Sequence, residues 1–130
     1  MPALASPLRD EVRPRVALGA FRRLADRWGL GPKERAKLLG VSLKSIARYE
    51  NKDTMPRELD RDKLERISYL LGIFRALNTI FGDASAAATD WLRRPNRAFG
   101  EQTPLDRMLA GNVADLAFVR LYLERETNPW

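Results

Sequence analysis

The chain has 130 residues, with 23 Lys and Arg against 17 Asp and Glu, a net charge of +6, and neither cysteine nor histidine. Disulfides, thiol nucleophiles, imidazole bases and the usual zinc ligands are thereby excluded, and the scattered carboxylates suggest no shared catalytic cleft, so no catalytic, cofactor or metal residue is expected and the chain reads as a non-enzyme. Charge interrupts every apolar stretch before it reaches the roughly 20 residues of a membrane span, and Met1 to Arg15 lacks the apolar core of a signal peptide, which makes a soluble cytoplasmic protein the expectation.

The excess charge is one-sided. Residues 1–66 hold 16 Lys and Arg against 10 Asp and Glu, whereas residues 67–130 balance at seven of each. A basic half attracts polyanions through counterion release, and a neutral half is better suited to burying surface against protein.

In chain order the elements are all helical. Ala17, Phe21, Leu24 and Trp28 recur at helical spacing and predict a first helix from Pro14 to Trp28, with Arg22, Arg23 and Arg27 outside and Gly29 as its stop. Pro32 suits a first helical turn, so a short helix runs to Leu39, with Ala36 and Leu39 inward, and Gly40 ends it. Ser42 caps a third helix that carries Ile46 and Tyr49 inward and reaches Asn51. After a loop over Lys52 to Leu59, Asp60 caps the longest helix, Arg61 to Phe81. Leu64, Ile67, Leu71, Phe74 and Phe81 form one stripe on it, and Leu70, Ile73, Leu77 and Ile80 a second. Its second half must therefore be covered on two sides, in the core or in a subunit interface. A short Ala-rich helix over Ala84 to Leu92, a loop over Arg94 to Gln102, a helix opened by Thr103-Pro104 and stopped at Gly111, and a last helix capped by Asn112 and reaching Arg125 complete the series. The fold class is all-α, divided into 14–59 and 60–130 with the long helix as the joint.

Pro32 to Asn51, PKERAKLLGVSLKSIARYEN, has the spacing of a DNA-reading helix-turn-helix. Ala36 is small where two helices cross, Gly40 turns, Val41 plugs the turn, and Leu39, Ile46 and Tyr49 fill the wedge, leaving the second helix free to enter a major groove. This segment resembles the Xre family of repressors through its LGVS turn and RYEN ending, which implies a homodimer on operator DNA. Lys44 and Arg48 would then face guanine edges or phosphates, with Ser42 and Ser45 as short hydrogen bonders, and Lys33, Arg35 and Lys37 touching the backbone. Leu43 stands where such proteins often carry glutamine, leaving at most a thymine-methyl contact.

The second half carries Trp91-Leu92, Pro95-Asn96, Phe99-Gly100, Pro104-Leu105, Leu109 and Gly111. This run is similar to the toxin-binding domain of the Xre/MbcA/ParS antitoxins. The resemblance implies a partner of the RES-domain class, a toxin that consumes NAD or ADP-ribosylates a target, and an antitoxin that covers its active site and represses its own operon. Trp91, Leu92, Pro95, Asn96, Phe99, Gly100, Pro104, Leu105 and Gly111 are read as structural. Arg120, Tyr122 and Arg125, with the terminal Asn128, Pro129 and Trp130, are the candidate toxin contacts. Two other readings remain open: a stand-alone Xre-like regulator whose C-terminal domain only dimerises, and a toxin binder whose helix-turn-helix has become scaffold.

Overall fold

The computed structural model describes residues 14–82 and 85–127, and these contain seven α-helices, one 3₁₀ turn and no strand. The helices are α1 Pro14–Arg27, α2 Pro32–Leu39, α3 Leu43–Tyr49, α4 Arg61–Phe81, α5 Ser85–Arg93, α6 Pro104–Met108 and α7 Val113–Thr127, with the 3₁₀ turn at Arg97–Phe99.

Helix α1 buries Leu18 and Ala25 in addition to the expected Ala17, Phe21 and Leu24. Its apolar face is broad, and the chain leaves it at once for α2: Leu30 N–H bonds back to the Ala25 carbonyl at 3.0 Å and Leu30 itself is buried. This six-to-one closure with an apolar residue beyond the turn is the usual helix stop at a glycine, here Gly29. Helix α3 ends two residues before the expected Asn51. There the Asn51 side chain accepts the Asp53 N–H at 2.8 Å, a local turn that competes with further helical bonds. Ser42 caps α3 by accepting from Ser45 N–H at 3.1 Å, Asp60 caps α4 through Lys63 N–H at 2.9 Å, and Thr103 caps α6 through Asp106 N–H at 2.9 Å. At α7 the Asp115 carboxylate reaches back to the Asn112 N–H at 3.3 Å, so an acid in the first turn supplies the closure there.

Helix α4 is the central element and packs on α1, α2, α5 and α7. Ile67, Leu70, Ile73 and Leu77 are fully buried, while Leu64, Leu71, Phe74 and Phe81 lie half-buried at the margin of the same cluster. On α7, which packs most extensively against α4, Leu116, Val119 and Leu123 are also fully buried. Gly72 makes room for Arg120 across this seam: a Cβ there would stand 2.6 Å from Arg120 Nε, so a side chain at this position would displace the arginine from the α4 backbone.

Two charged links join the halves. Arg66, only 8% exposed, is the sole buried charged residue among the described residues. Its guanidinium donates to Asp62 at 2.9 Å, to the Lys37 and Leu38 carbonyls at the end of α2, and to the Gly111 carbonyl at 2.9 Å. Gly40 has φ +79° and sits against this side chain, where a Cβ would stand 2.7 Å from Arg66 Nε, so both its conformation and its neighbour demand glycine. The second link is Arg93 of α5, which pairs with Glu34 of α2 at 3.1 Å; the same Glu34 oxygen accepts the Gly31 N–H at 3.0 Å.

Replacing Arg66 with Met keeps the stem and leaves the α2 and Gly111 carbonyls without their donor. Chemical unfolding is expected to show a loss of about 3 kcal/mol, the scale for breaking a buried charged network. Burial works to raise the pKa of Glu34, but hydrogen bonds from Arg93 and Gly31 and the Arg93 charge outweigh it, so its carboxyl ionises below the usual 4.5. A group with a depressed folded pKa stabilises above its unfolded value and loses that contribution as pH falls through the folded one. Stability should therefore decline below about pH 4.5, and Glu34→Gln should be less stable at pH 7 with a shallower acid loss, measured by urea unfolding at both pH values.

Candidate DNA-facing and toxin-facing surfaces

Helices α2 and α3 cross with Ala36, Leu38, Leu39 and Ile46 buried between them and the core. The face of α3 left outside consists of Leu43, Lys44, Ala47 and Arg48. These form two adjacent stripes, apolar Leu43 and Ala47 and basic Lys44 and Arg48, each with its members four residues apart. Leu43 is 50% exposed, and the Arg48 guanidinium rests 4.8 Å from the Tyr49 ring centroid, which holds it at the helix end. Lys33 and Lys37 are exposed on α2.

The remaining candidates are more occupied. Ser42 Oγ accepts the Ser45 N–H and donates to Ser45 Oγ at 2.9 Å, so the pair spends most of its hydrogen-bonding capacity on the cap. Arg35 donates to the Leu30 carbonyl at 2.8 Å and pairs with Asp26 at 2.7 Å and Glu50 at 3.2 Å. Burial alone would lower its pKa, but these two carboxylates raise it. The structure thus places Arg35 as a clamp that locks α2 to α1 and α3, with its guanidinium turned inward.

The second half of the chain is organised around Phe99. The Asn96 side chain accepts the Ala98 N–H at 2.9 Å, and the Asn96 carbonyl accepts the N–H groups of Phe99 and Glu101. Pro95, Asn96 and Gly100 thus build a compact 3₁₀ turn whose product is one inward-pointing phenyl ring. Phe99 meets Trp91 at 6.1 Å, Phe118 at 5.6 Å and Tyr122 at 5.2 Å, and Trp91 stacks on Tyr122 at 6.3 Å. Leu92, Phe99, Pro104 and Leu105 are buried, and Gly111 has φ +99° and lends its carbonyl to Arg66.

On its outer face α7 presents Ala114, Phe118, Leu121 and Arg125, all exposed and at spacings of four, three and four residues. Phe118 and Leu121 are 39% and 48% exposed. Arg107 holds Phe118 from below, 4.1 Å from the ring centroid, and is fixed by Asp115 at 2.8 Å. Of the expected contacts, Arg125 joins this stripe, Tyr122 is half-buried in the aromatic cluster, and Arg120 lies in the α4 seam bonded to Glu124 at 2.9 Å. Asn128, Pro129 and Trp130 fall outside the described residues. The role of Arg107 was missed in the sequence because nothing in its spacing ties it to Phe118; the prominence of Phe118 and Leu121 was legible only as apolar residues off the main α7 stripe. Among the described residues no group of carboxylates could hold a metal ion, and no helix is long and apolar enough to cross a membrane.

Residues 7–72 match the antitoxin Xre-like helix-turn-helix domain, and residues 76–127 match the antitoxin Xre/MbcA/ParS C-terminal toxin-binding domain. The chain is also 40% identical over 124 residues to the uncharacterized protein y4oB of Sinorhizobium fredii (strain NBRC 101917 / NGR234), covering 94% of this chain and 92% of that one. With a helix-turn-helix in front and a toxin-binding domain behind, in the family's order, the chain belongs to the Xre/MbcA/ParS antitoxins of toxin-antitoxin systems.

Proposed function

We propose that this antitoxin neutralises a RES-domain toxin, an enzyme that consumes NAD or uses it for ADP-ribosylation, by covering the toxin's active site, and that as a homodimer it represses its own operon in the cytoplasm. The observation that carries the toxin-binding part is the exposed stripe Ala114, Phe118, Leu121 and Arg125 of α7. An aromatic ring and a leucine held in the open by a packed cluster beneath, with an arginine alongside, have the composition of an interface anchor, and their pre-set positions reduce the ordering cost of binding. Tyr122, at the edge of the stripe, contributes beside it, Arg120 on the α4 side of the same helix is a further contact, and the tail Asn128-Pro129-Trp130 is assigned to blocking NAD access.

For the DNA, the paired stripes of α3 suit a half-site in which Lys44 and Arg48 take guanine edges or phosphates and Leu43 meets a thymine methyl. Lys33 and Lys37 lie where the flanking phosphates would run, with Ser42 and Ser45 at the start of the helix.

Co-expression with the product of the neighbouring reading frame should yield a stable complex in which NAD loss is suppressed. Leu121→Glu with Arg125→Glu should weaken that complex by about ten-fold or more without lowering thermal stability, and deletion of residues 125–130 should restore NAD consumption. If the complex forms yet neither change affects it, the toxin lies elsewhere on the surface. On a fragment from upstream of the gene, Arg48→Ala and Lys44→Ala should each weaken binding and reduce the salt slope by about one. Retention of wild-type affinity and slope in both would remove α3 from the interface.

A further inference from the structure

Between α1 and α4 lies an open groove of about 700 Å³ that neither reading above uses. Its floor is apolar, formed by Leu24, Leu71 and Phe74, and its rims carry Arg23 and Arg27 from α1 and Arg75 from α4. Arg27 leans over the Phe74 ring at 5.9 Å, and Trp28 supports that ring from behind at 6.1 Å. Among the described residues none of these three arginines forms an ion pair, and the one carboxylate in the groove, Asp26, is bound by Arg35 at 2.7 Å. Three uncompensated guanidinium groups around a phenyl and two leucines form a surface complementary to an apolar side chain flanked by acids.

Two other occupants fit less well. A second copy of the chain docking groove to groove would bring the same three arginines face to face, since a two-fold interface apposes each patch with itself. Nucleic acid would find the cations but no use for the apolar floor. Arg22, the neighbour of Arg23 and about 100° round the helix from it, is not part of the groove and points instead to the Glu50 carbonyl at the end of α3. The groove adjoins the toxin-binding domain along α4. Arg75 immediately precedes residue 76, where that domain begins.

We propose that the α1/α4 groove is a second docking site for the toxin, receiving an acidic segment with one aromatic or branched aliphatic anchor. The site lies outside the toxin-binding domain and adds to the α7 surface. This inference rests on the antitoxin reading and deepens it: the toxin grips both modules, touching α1, the helix that Arg35 locks to the helix-turn-helix.

The test is the binding of the co-purified toxin to full-length chain by biolayer interferometry across a salt series. Wild type is compared with the triple reversal Arg23→Glu, Arg27→Glu, Arg75→Glu, and with a control of equal net charge, Arg15→Glu, Lys52→Glu, Arg57→Glu. The groove variant should bind about ten-fold more weakly at low salt, mainly through a slower association rate, with the difference shrinking as salt rises. The control should stay within about two-fold of wild type. Should the reversal unfold the chain, the neutral pair Arg27→Ala, Arg75→Ala is measured instead, with a smaller loss in the same direction. A groove variant that matches wild type, or a control that loses as much, overturns the second site while leaving the α7 reading intact. Absence of any wild-type complex removes both.

Discussion

A guanidinium group withdrawn from water must find acceptors for its N–H donors, and Arg66 finds them on three different parts of the chain. It holds the carbonyl end of α2, the carbonyl of Gly111 before α7, and the Asp62 carboxylate one turn back on its own helix. The carbonyls at the end of α2 are those a helix leaves without partners, and a cation placed there also meets the negative end of the helix dipole. One side chain therefore fixes the turn of the helix-turn-helix relative to the toxin-binding domain. Gly40 is the necessary counterpart, since a side chain there would collide with Arg66.

This arrangement explains why the two modules share one core. Helix α4 contributes to both matched domains, and the buried cluster runs without a break from Ala17 in α1 to Leu123 in α7. A helix covered on several sides cannot shift for one neighbour alone, because close-packed interiors transmit displacement. The exposed faces of α3 and α7 are thus presented by a single packed body, with Arg66 and the Arg93–Glu34 pair as its polar fasteners.

The signature of the second half acquires a physical meaning in the same way. Pro95, Asn96 and Gly100 fold a few residues into a turn that delivers Phe99 to Trp91, Phe118 and Tyr122. The aromatic cluster then holds half of the Phe118 surface while leaving the rest to solvent, and Arg107 finishes the support through its ring contact and its bond to Asp115. What the motif builds is a platform under α7. Most of its residues are spent on structure, and the residues suited to a partner are ones the motif does not contain.

Much of this was legible from the chain alone. Apolar spacing, glycine stops and the Ser42, Asp60 and Thr103 caps are local properties, and they located every helix to within about two residues, because helix boundaries are decided by side chains that bond to their own neighbouring backbone. The antitoxin family was legible too, in the LGVS turn and the Phe99-Gly100 run. What remained for the tertiary structure was the identity of each charged residue's partner. Arg35 and Arg66 look like any other basic residues of an amphipathic surface, yet the fold turns the first into a clamp on Asp26 and Glu50 and buries the second at a junction between residues 28 and 45 positions distant. Arg23, Arg27 and Arg75, of the same residue type, form no ion pair among the described residues. Sequence spacing determines which face of a helix a residue occupies; only the packing of helices far apart in the chain decides whether that face meets an acid, a carbonyl or open groove.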